Sequence, residues 1–271
     1  MSRRHVQGLF GFAAENIRVI PLAPPDLSPY RNQFDGLDNR EKLRSAAKLL
    51  RDFAADRGLR YLADFPFEDV DYCVISTQDR PTKNIAFATK CLVDLIRKQN
   101  RNLKLILTAD IHYGADWTDL PGVIETRQCH RDILSMRDLP RDVHAALYFC
   151  AQATIHPSFF EGIVGALPFY ESLSLGTPAI IARGPHTSEL LMDFPEVEPF
   201  TFDPHDAAAF SRLLTSVLDN RESALAKLRP VYEMSRKRTW GHVADAYAEA
   251  AMNLPHAPQT PDVATTGSVS L

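Results

Sequence analysis

ATIHPSFFEGIVGALPFYESLSLGTPAII, residues 153–181, reads as strand, loop, helix and strand in succession. Ala153 to Ile155 is an apolar, strand-like run that breaks at His156-Pro157-Ser158. Glu161 and Gly162 open a small glycine-bearing loop, Ile163 to Ala166, and Leu167-Pro168 then lead into a helix carrying Glu171. Gly176-Thr177-Pro178 ends that helix and starts a second buried strand, Ala179 to Ala182. A helix N-terminus with bare amides is a seat for phosphate. Carboxylates on either side of the loop can accept hydrogen bonds from the hydroxyls of a sugar or ribose. Taken singly, Glu161 and Glu171 would read as a loop carboxylate and a solvated helix residue; together with their flanks they point to a nucleotide-sugar site.

Outward from this stretch the same alternation continues. Tyr72 to Ser76, Leu103 to Thr108, Ala153 to His156 and Ala179 to Ala182 read as strands. Arg40 to Arg57 has a helical apolar stripe ended by Gly58, and helices are also expected over Asn84 to Lys98, Asp142 to Ala151, Glu171 to Leu175, Ala207 to Leu218 and Thr239 to Met252. Strands alternating with helices predict an α/β fold with a Rossmann-like, doubly wound parallel sheet. Asn16 to Leu22 reads as a further short strand, followed by the proline-rich linker APPDLSPY.

The strand from Tyr72 runs into Thr77-Gln78-Asp79-Arg80-Pro81-Thr82-Lys83-Asn84. Cations at the carboxyl end of a parallel strand, just before a helix, lie where such sheets bind ligands. Arg offers a planar fork to phosphate oxygens and Lys a point charge. Alone, the pair would read as a solvated loop.

The runs PSFFEG (157–162), PFYESL (168–173) and GTP (176–178) resemble the Glu-x-Glu signature of family 4, the retaining glycosyltransferases of GT-B architecture. Nine residues separate Glu161 from Glu171, a longer spacing than the family's commonest one. The resemblance covers about residues 9–250. It implies that Glu161 contacts the transferred sugar and Glu171 the ribose, with Gly162 and Gly165 in the donor loop. It also implies that Arg80 and Lys83, with Asn84, neutralise the departing diphosphate, so that no metal or other cofactor is required. The segment AENIRVIPLAPP resembles the crossover out of the family's N-terminal domain. On that basis residues 1–66 are expected to be a remnant of that domain with crossover and helix. Residues 67–252 are the nucleotide-sugar-binding domain, the C-terminal half of a GT-B architecture whose N-terminal domain is largely missing. Residues 253–271 form a disordered tail.

The implied activity is metal-independent, retaining transfer from a UDP- or GDP-linked sugar to an acceptor, whose binding domain would come from a second chain or another copy of this one. A non-catalytic nucleotide-sugar-binding or partner-dependent module is the alternative; a sugar-nucleotide epimerase of the same architecture is a third. The expected location is the cytoplasm, with peripheral attachment at the inner membrane as an option.

Composition excludes other classes. Hydrophobic content of 45% and charged content of 24% over 271 residues suit a globular chain with a sizeable core. A net charge of −4 gives no argument for nucleic acid. Cys73, Cys91, Cys129 and Cys150 lack C-x-x-C spacing and read as reduced, buried thiols, and Cys129-His130 has no second ligand pair for a metal. Asp69-Val70-Asp71 precedes its strand, on the wrong side for a nucleotide-bound metal. His112, His156 and His186 follow strands near the candidate site, as ligand contacts or as satisfied loop histidines. Thr187-Ser188-Glu189 reads as a site wall or a helix cap, and Trp240 as a packing residue.

Overall fold

The computed structural model describes residues 3–31, 36–111, 119–162 and 166–252. Its centre is one six-stranded sheet: β1 Asp71–Ile75, β2 Leu103–Leu107, β3 Ile133–Ser135, β4 Ala153–His156, β5 Ala179–Ala182 and β6 Thr201–Phe202. Their spatial order is β3-β2-β1-β4-β5-β6, with every pairing parallel. This is the doubly wound Rossmann order. The helices are α1 Arg3–Phe10, α2 Ser28–Arg31, α3 Asn39–Asp56, α4 Arg60–Ala63, α5 Ile85–Gln99, α6 Leu120–Arg127, α7 Arg141–Cys150, α8 Leu167–Ser174, α9 Pro185–Asp193, α10 Ala207–Asp219, α11 Arg221–Ser235 and α12 Trp240–Met252.

Alternation along the strands builds two cores, since successive side chains point to opposite faces. In β1, Cys73 and Ile75 join the cluster of Leu92 from α5 and Ile124 from α6. Tyr72 and Val74 join the opposite cluster, with Leu50 from α3, Leu62 from α4 and Leu147 from α7. The four cysteines are buried free thiols. Burial raises the Cys73 and Cys150 thiols to about 12, which leaves them protonated and inert at neutral pH.

The helix expected from Arg40 is built into the sheet's layer rather than set apart from it. Asp38 caps α3 by accepting from the Arg40 and Glu41 amides at 2.8 Å, and Glu41 returns the bond to the Asp38 amide at 3.1 Å. This capping box fixes where α3 starts, and its Ala46, Ala47, Leu50 and Ala54 face is buried against α7.

Other expectations need correction. No strand forms over residues 16–22; Ala14–Asn16 is a short 3-10 turn, and the chain then runs irregularly to Leu27. Pro21, Pro24 and Pro25 remove amide donors that a ladder would need. Instead Arg18 bonds Glu249 of α12 at 2.5 Å. Trp240 is 54% exposed, so it is not part of the core. The helix expected from Glu171 begins a turn earlier, at Leu167. Strands β3 and β6 and helices α1, α2, α4, α6 and α11 add to the expected elements; the two strands are short and lack alternation. The tail, His112 and Gly165 lie outside the described residues. No helix among the described residues is long and apolar enough to cross a membrane.

Helix α7 is pinned to the sheet by the buried Tyr72 hydroxyl, which donates to the Leu147 carbonyl at 2.8 Å. Replacing Tyr72 by Phe leaves that carbonyl unpaired in the core. The expected cost is about 1–3 kcal/mol by denaturant unfolding, with an unchanged m-value.

Candidate functional site

After β3 the chain crosses on the α7 face and enters β4 beside β1, so the two central neighbours are followed by loops that leave in opposite directions. The carboxyl ends of strands at such a switch point form a crevice. A cavity of about 540 Å³ lies there, lined by Ser76, Thr77, Arg80 and Lys83 after β1, by His156, Ser158, Glu161 and Gly162 around the end of β4, and by Glu171 of α8.

Two contacts bring the loops together. The Phe159 amide donates to the Thr82 carbonyl at 3.0 Å. Beside it, Lys83 Nζ donates to both carboxylate oxygens of Glu161 at 2.8 Å. The side chains are 20% and 19% exposed, so water screens this pair less than a surface one. Arg80 precedes a 3-10 turn over Pro81–Lys83 and sits in extended backbone at the cavity's edge. Ala166, Leu167 and Pro168, at the N-terminus of α8, line the same cavity. No side chain caps α8, whose second residue, Pro168, has no amide and whose Phe169 amide donates to the Ala166 carbonyl at 3.0 Å.

Glu171 lies on the cavity's other side, half-buried. The buried Tyr148 hydroxyl points to its Oε2 at 3.4 Å. Tyr148 in turn lies against the His144 ring, with centroids 4.6 Å apart, and His144 Nε2 is 2.9 Å from Ser76 Oγ. Burial raises the Glu171 carboxyl, although the Tyr148 hydroxyl and the charge of Arg141 pull it back. Burial also pushes His144 down to about 4, so its imidazole is neutral at pH 7.

Beneath the first loop runs a one-way hydrogen-bond chain. Ser172 Oγ donates to the Thr177 carbonyl at 2.8 Å, and Thr154 Oγ1 donates to Ser172 Oγ at 2.8 Å. Both hydroxyl protons are thereby used, so the 3.0 Å contact of Thr154 Oγ1 with His156 Nε2 requires the proton on Nε2. His156 is thus a neutral tautomer with a bare Nδ1, and burial, reinforced by His186 and Lys83, holds its pKa down at about 3.

Of the residues singled out in the sequence, Glu161, Gly162, Arg80, Lys83 and Glu171 line one cavity. Asn84 stands apart from it. Its left-handed backbone (φ 53°) starts α5, and its Nδ2 donates to the Pro204 carbonyl at 3.1 Å, tying this loop to the one after β6. Asp71 is at the amino end of β1, where it accepts from Gln152 at 2.8 Å. The hydroxyls of Thr187 and Ser188 turn back to the Ala182 and Gly184 carbonyls, so they wall no site. Sequence reasoning missed His144, Tyr148 and Thr108. The first two sit one helical turn apart in the apolar stripe of α7, where a polar tip is indistinguishable from core without knowing that α7 crosses over the switch point.

No protein-family model matches the sequence, and no curated protein matches it. Solved structures do resemble the fold. A glycosyltransferase from Rickettsia africae ESF-5 superposes with a TM-score of 0.65 at 14% identity, over 92% of this chain and 60% of that one. The N-terminal domain of Candida albicans trehalose-6-phosphate phosphatase gives 0.64 at 12%, over 92% and 56%. The E. coli trehalose-6-phosphate structure bound with UDP-2-fluoro glucose gives 0.60 at 10%, over 88% and 52%. This chain therefore spans little more than half the length of those it resembles. At such identities the likeness establishes the fold: a six-stranded parallel, Rossmann-like sheet of the kind found in GT-B glycosyltransferases.

Two glycines separate architecture from ligand contact. A Cβ on Gly184 would lie 2.4 Å from the Phe159 carbonyl, which is backbone, whereas a Cβ on Gly162 meets nothing within 4 Å among the described residues. Gly184→Ala is expected to cost about 1–3 kcal/mol in unfolding free energy, and Gly162→Ala to leave it within about 0.5 kcal/mol. Glu171 carries a pH signature. Its folded pKa is raised above the ordinary 4.5, so the native state holds the proton more tightly and stability falls as pH rises through the window from 4.5 to the folded value. In Glu171→Gln that decline should disappear, and thermal unfolding at pH 7 should move to higher temperature.

Proposed function

We propose that this chain is the donor-binding half of a metal-independent, retaining glycosyltransferase of family 4, with a nucleoside diphosphate sugar as donor. The observation that carries the reading is the convergence of Lys83, Glu161 and Glu171 in one cavity at the β1/β4 switch point. Arg80 and Lys83 supply positive charge for a diphosphate, and the N-terminus of α8 adds the positive end of its dipole. Glu161 accepts hydrogen bonds from the sugar and Glu171 from the ribose hydroxyls. In the reaction the bond from the anomeric carbon to the diphosphate oxygen breaks and the acceptor oxygen bonds that carbon from the same face. The acceptor's proton leaves with the diphosphate, whose growing charge the two cations stabilise. A single preorganised donor of this kind contributes about 3 kcal/mol to lowering a barrier.

The donor class is supported by the E. coli neighbour, which was solved with UDP-2-fluoro glucose. The acceptor would be held by a second body, from another chain or another copy, since a bimolecular step needs both reactants oriented. The alternative is a non-catalytic nucleotide-sugar-binding module that depends on such a partner. Either role suits the cytoplasm, with peripheral attachment at the inner membrane.

Calorimetric titration with UDP-glucose and GDP-mannose in the presence of a chelator tests the site. Binding is expected to persist without metal and to weaken more than about a hundredfold in Glu171→Ala/Lys83→Ala, as loss of two charged contacts implies. Equal affinity in the folded double variant would sink the assignment.

A further inference from the structure

Against Gly184, which itself abuts the Phe159 carbonyl of the loop that carries Glu161, sits a side chain to which the donor chemistry assigns no task. His186, in the first turn of α9, is 2% exposed. Among the described residues, neither of its ring nitrogens has a hydrogen-bond partner. Buried polar atoms are nearly always paired, because an unpaired one has lost its water for nothing. The ring is not loose: it packs on Gly184, where a Cβ would lie 3.0 Å from its Cε1 and Nδ1.

Three titratable groups act on this ring or are acted on by it: Glu161 from the loop after β4, Lys83 from the loop after β1, and His156 at the end of β4. His156 is committed through Nε2 to Thr154. Of the three, Glu161 alone carries a charge that favours a protonated imidazole, and Lys83 opposes it. In the structure Lys83 occupies both Glu161 oxygens. Under the functional reading above, on which this inference rests, donor binding draws Lys83 onto the diphosphate and leaves Glu161 without its cation.

We propose that His186 is a positioning residue that takes over Glu161 when Lys83 turns to the donor, binding one proton from solvent and donating a hydrogen bond to the carboxylate. Donor binding then exchanges one ion pair for another, and the Glu161 oxygen left over faces the sugar. The step consumes one proton and makes or breaks no heavy-atom bond. The electrostatics run the same way. Burial and Lys83 hold the ring neutral, down at about 4, while Glu161 pulls it up. An arriving diphosphate cancels the charge of Lys83, and the pull of Glu161 is then unopposed.

Two measurements test this. The first needs no ligand: the pKa of His186 is read by NMR of histidine-labelled protein, its signals assigned against His186→Gln. In Lys83→Met it should rise by about one unit or more, and in Lys83→Met/Glu161→Gln it should fall back. A ring whose titration does not move in Lys83→Met overturns the proposal. The second is calorimetry of UDP-glucose, which has no group titrating near neutrality, in buffers of different ionisation enthalpy at pH 7. Uptake of up to about one proton per ligand, abolished in His186→Gln, is expected; binding with no buffer dependence overturns the proposal. Should neither UDP-glucose nor GDP-mannose bind, the functional reading fails, and the ring titration still decides the pairing by itself.

Discussion

One backbone hydrogen bond organises the candidate site: the Phe159 amide on the Thr82 carbonyl, 3.0 Å. Parallel pairing of β1 with β4 aligns the two carboxyl ends, but it does not by itself decide how the loops beyond them meet. The Phe159–Thr82 bond does so, at a point one residue before Lys83 and two before Glu161. The loop after β6 reinforces it twice. His205 stacks on Phe159 with centroids 5.3 Å apart, and Pro204 accepts from Asn84. Gly184 closes the arrangement from β5, since its lack of a Cβ is what lets it sit against the Phe159 carbonyl. Loops from four strands are thereby locked around one ion pair, which is how a parallel sheet turns scattered sequence positions into a rigid constellation.

That constellation is electrically quiet as it stands. Lys83 and Glu161 neutralise each other, and His144, His156 and His186 are held neutral by burial at about 4, about 3 and about 4. Isolated charges in such a place would be costly, so the resting arrangement is the one that leaves fewest of them. An anionic ligand that competes for Lys83 must therefore disturb a balance, not simply add a contact. The Glu171 side tolerates more tension. Its carboxyl is raised by burial and, among the described residues, is met by a long contact from Tyr148 and by the charge of Arg141. Burial of this carboxylate therefore costs folding free energy at neutral pH.

Much of this was legible in the sequence because the signals were local and periodic. The alternation of apolar runs with helical stripes points to a doubly wound sheet, and glycine and proline punctuation around residues 153–181 locates the β4–α8 unit. The placement of Glu161, Gly162, Arg80, Lys83 and Glu171 around one cavity follows from that order, because carboxyl ends of neighbouring parallel strands converge at the switch point. What escaped was non-local. The strand expected over residues 16–22 has the composition of one, yet pairing depends on a free edge and unblocked amides, and the chain found its partner in α12 instead. Asn84 looked like part of a phosphate loop, but its left-handed backbone and its bond to Pro204 answer to a loop more than a hundred residues away. His144 and Tyr148 were invisible because a helix stripe does not say which strand ends it will cover.

The same distinction bears on what the site can do without help. The described residues that line the cavity come from the strand ends and loops of one sheet and from α8. A second reactant would have to approach from the mouth, where the described residues offer Arg80 at the rim and no opposing wall. Orientation of two reactants is worth many orders of magnitude in rate, and it requires surfaces on both sides. On the proposed reading, donor binding and turnover are separable demands, and the lining from Ile75 to Lys83, Ile155 to Gly162 and Ala166 to Glu171 bears on the first.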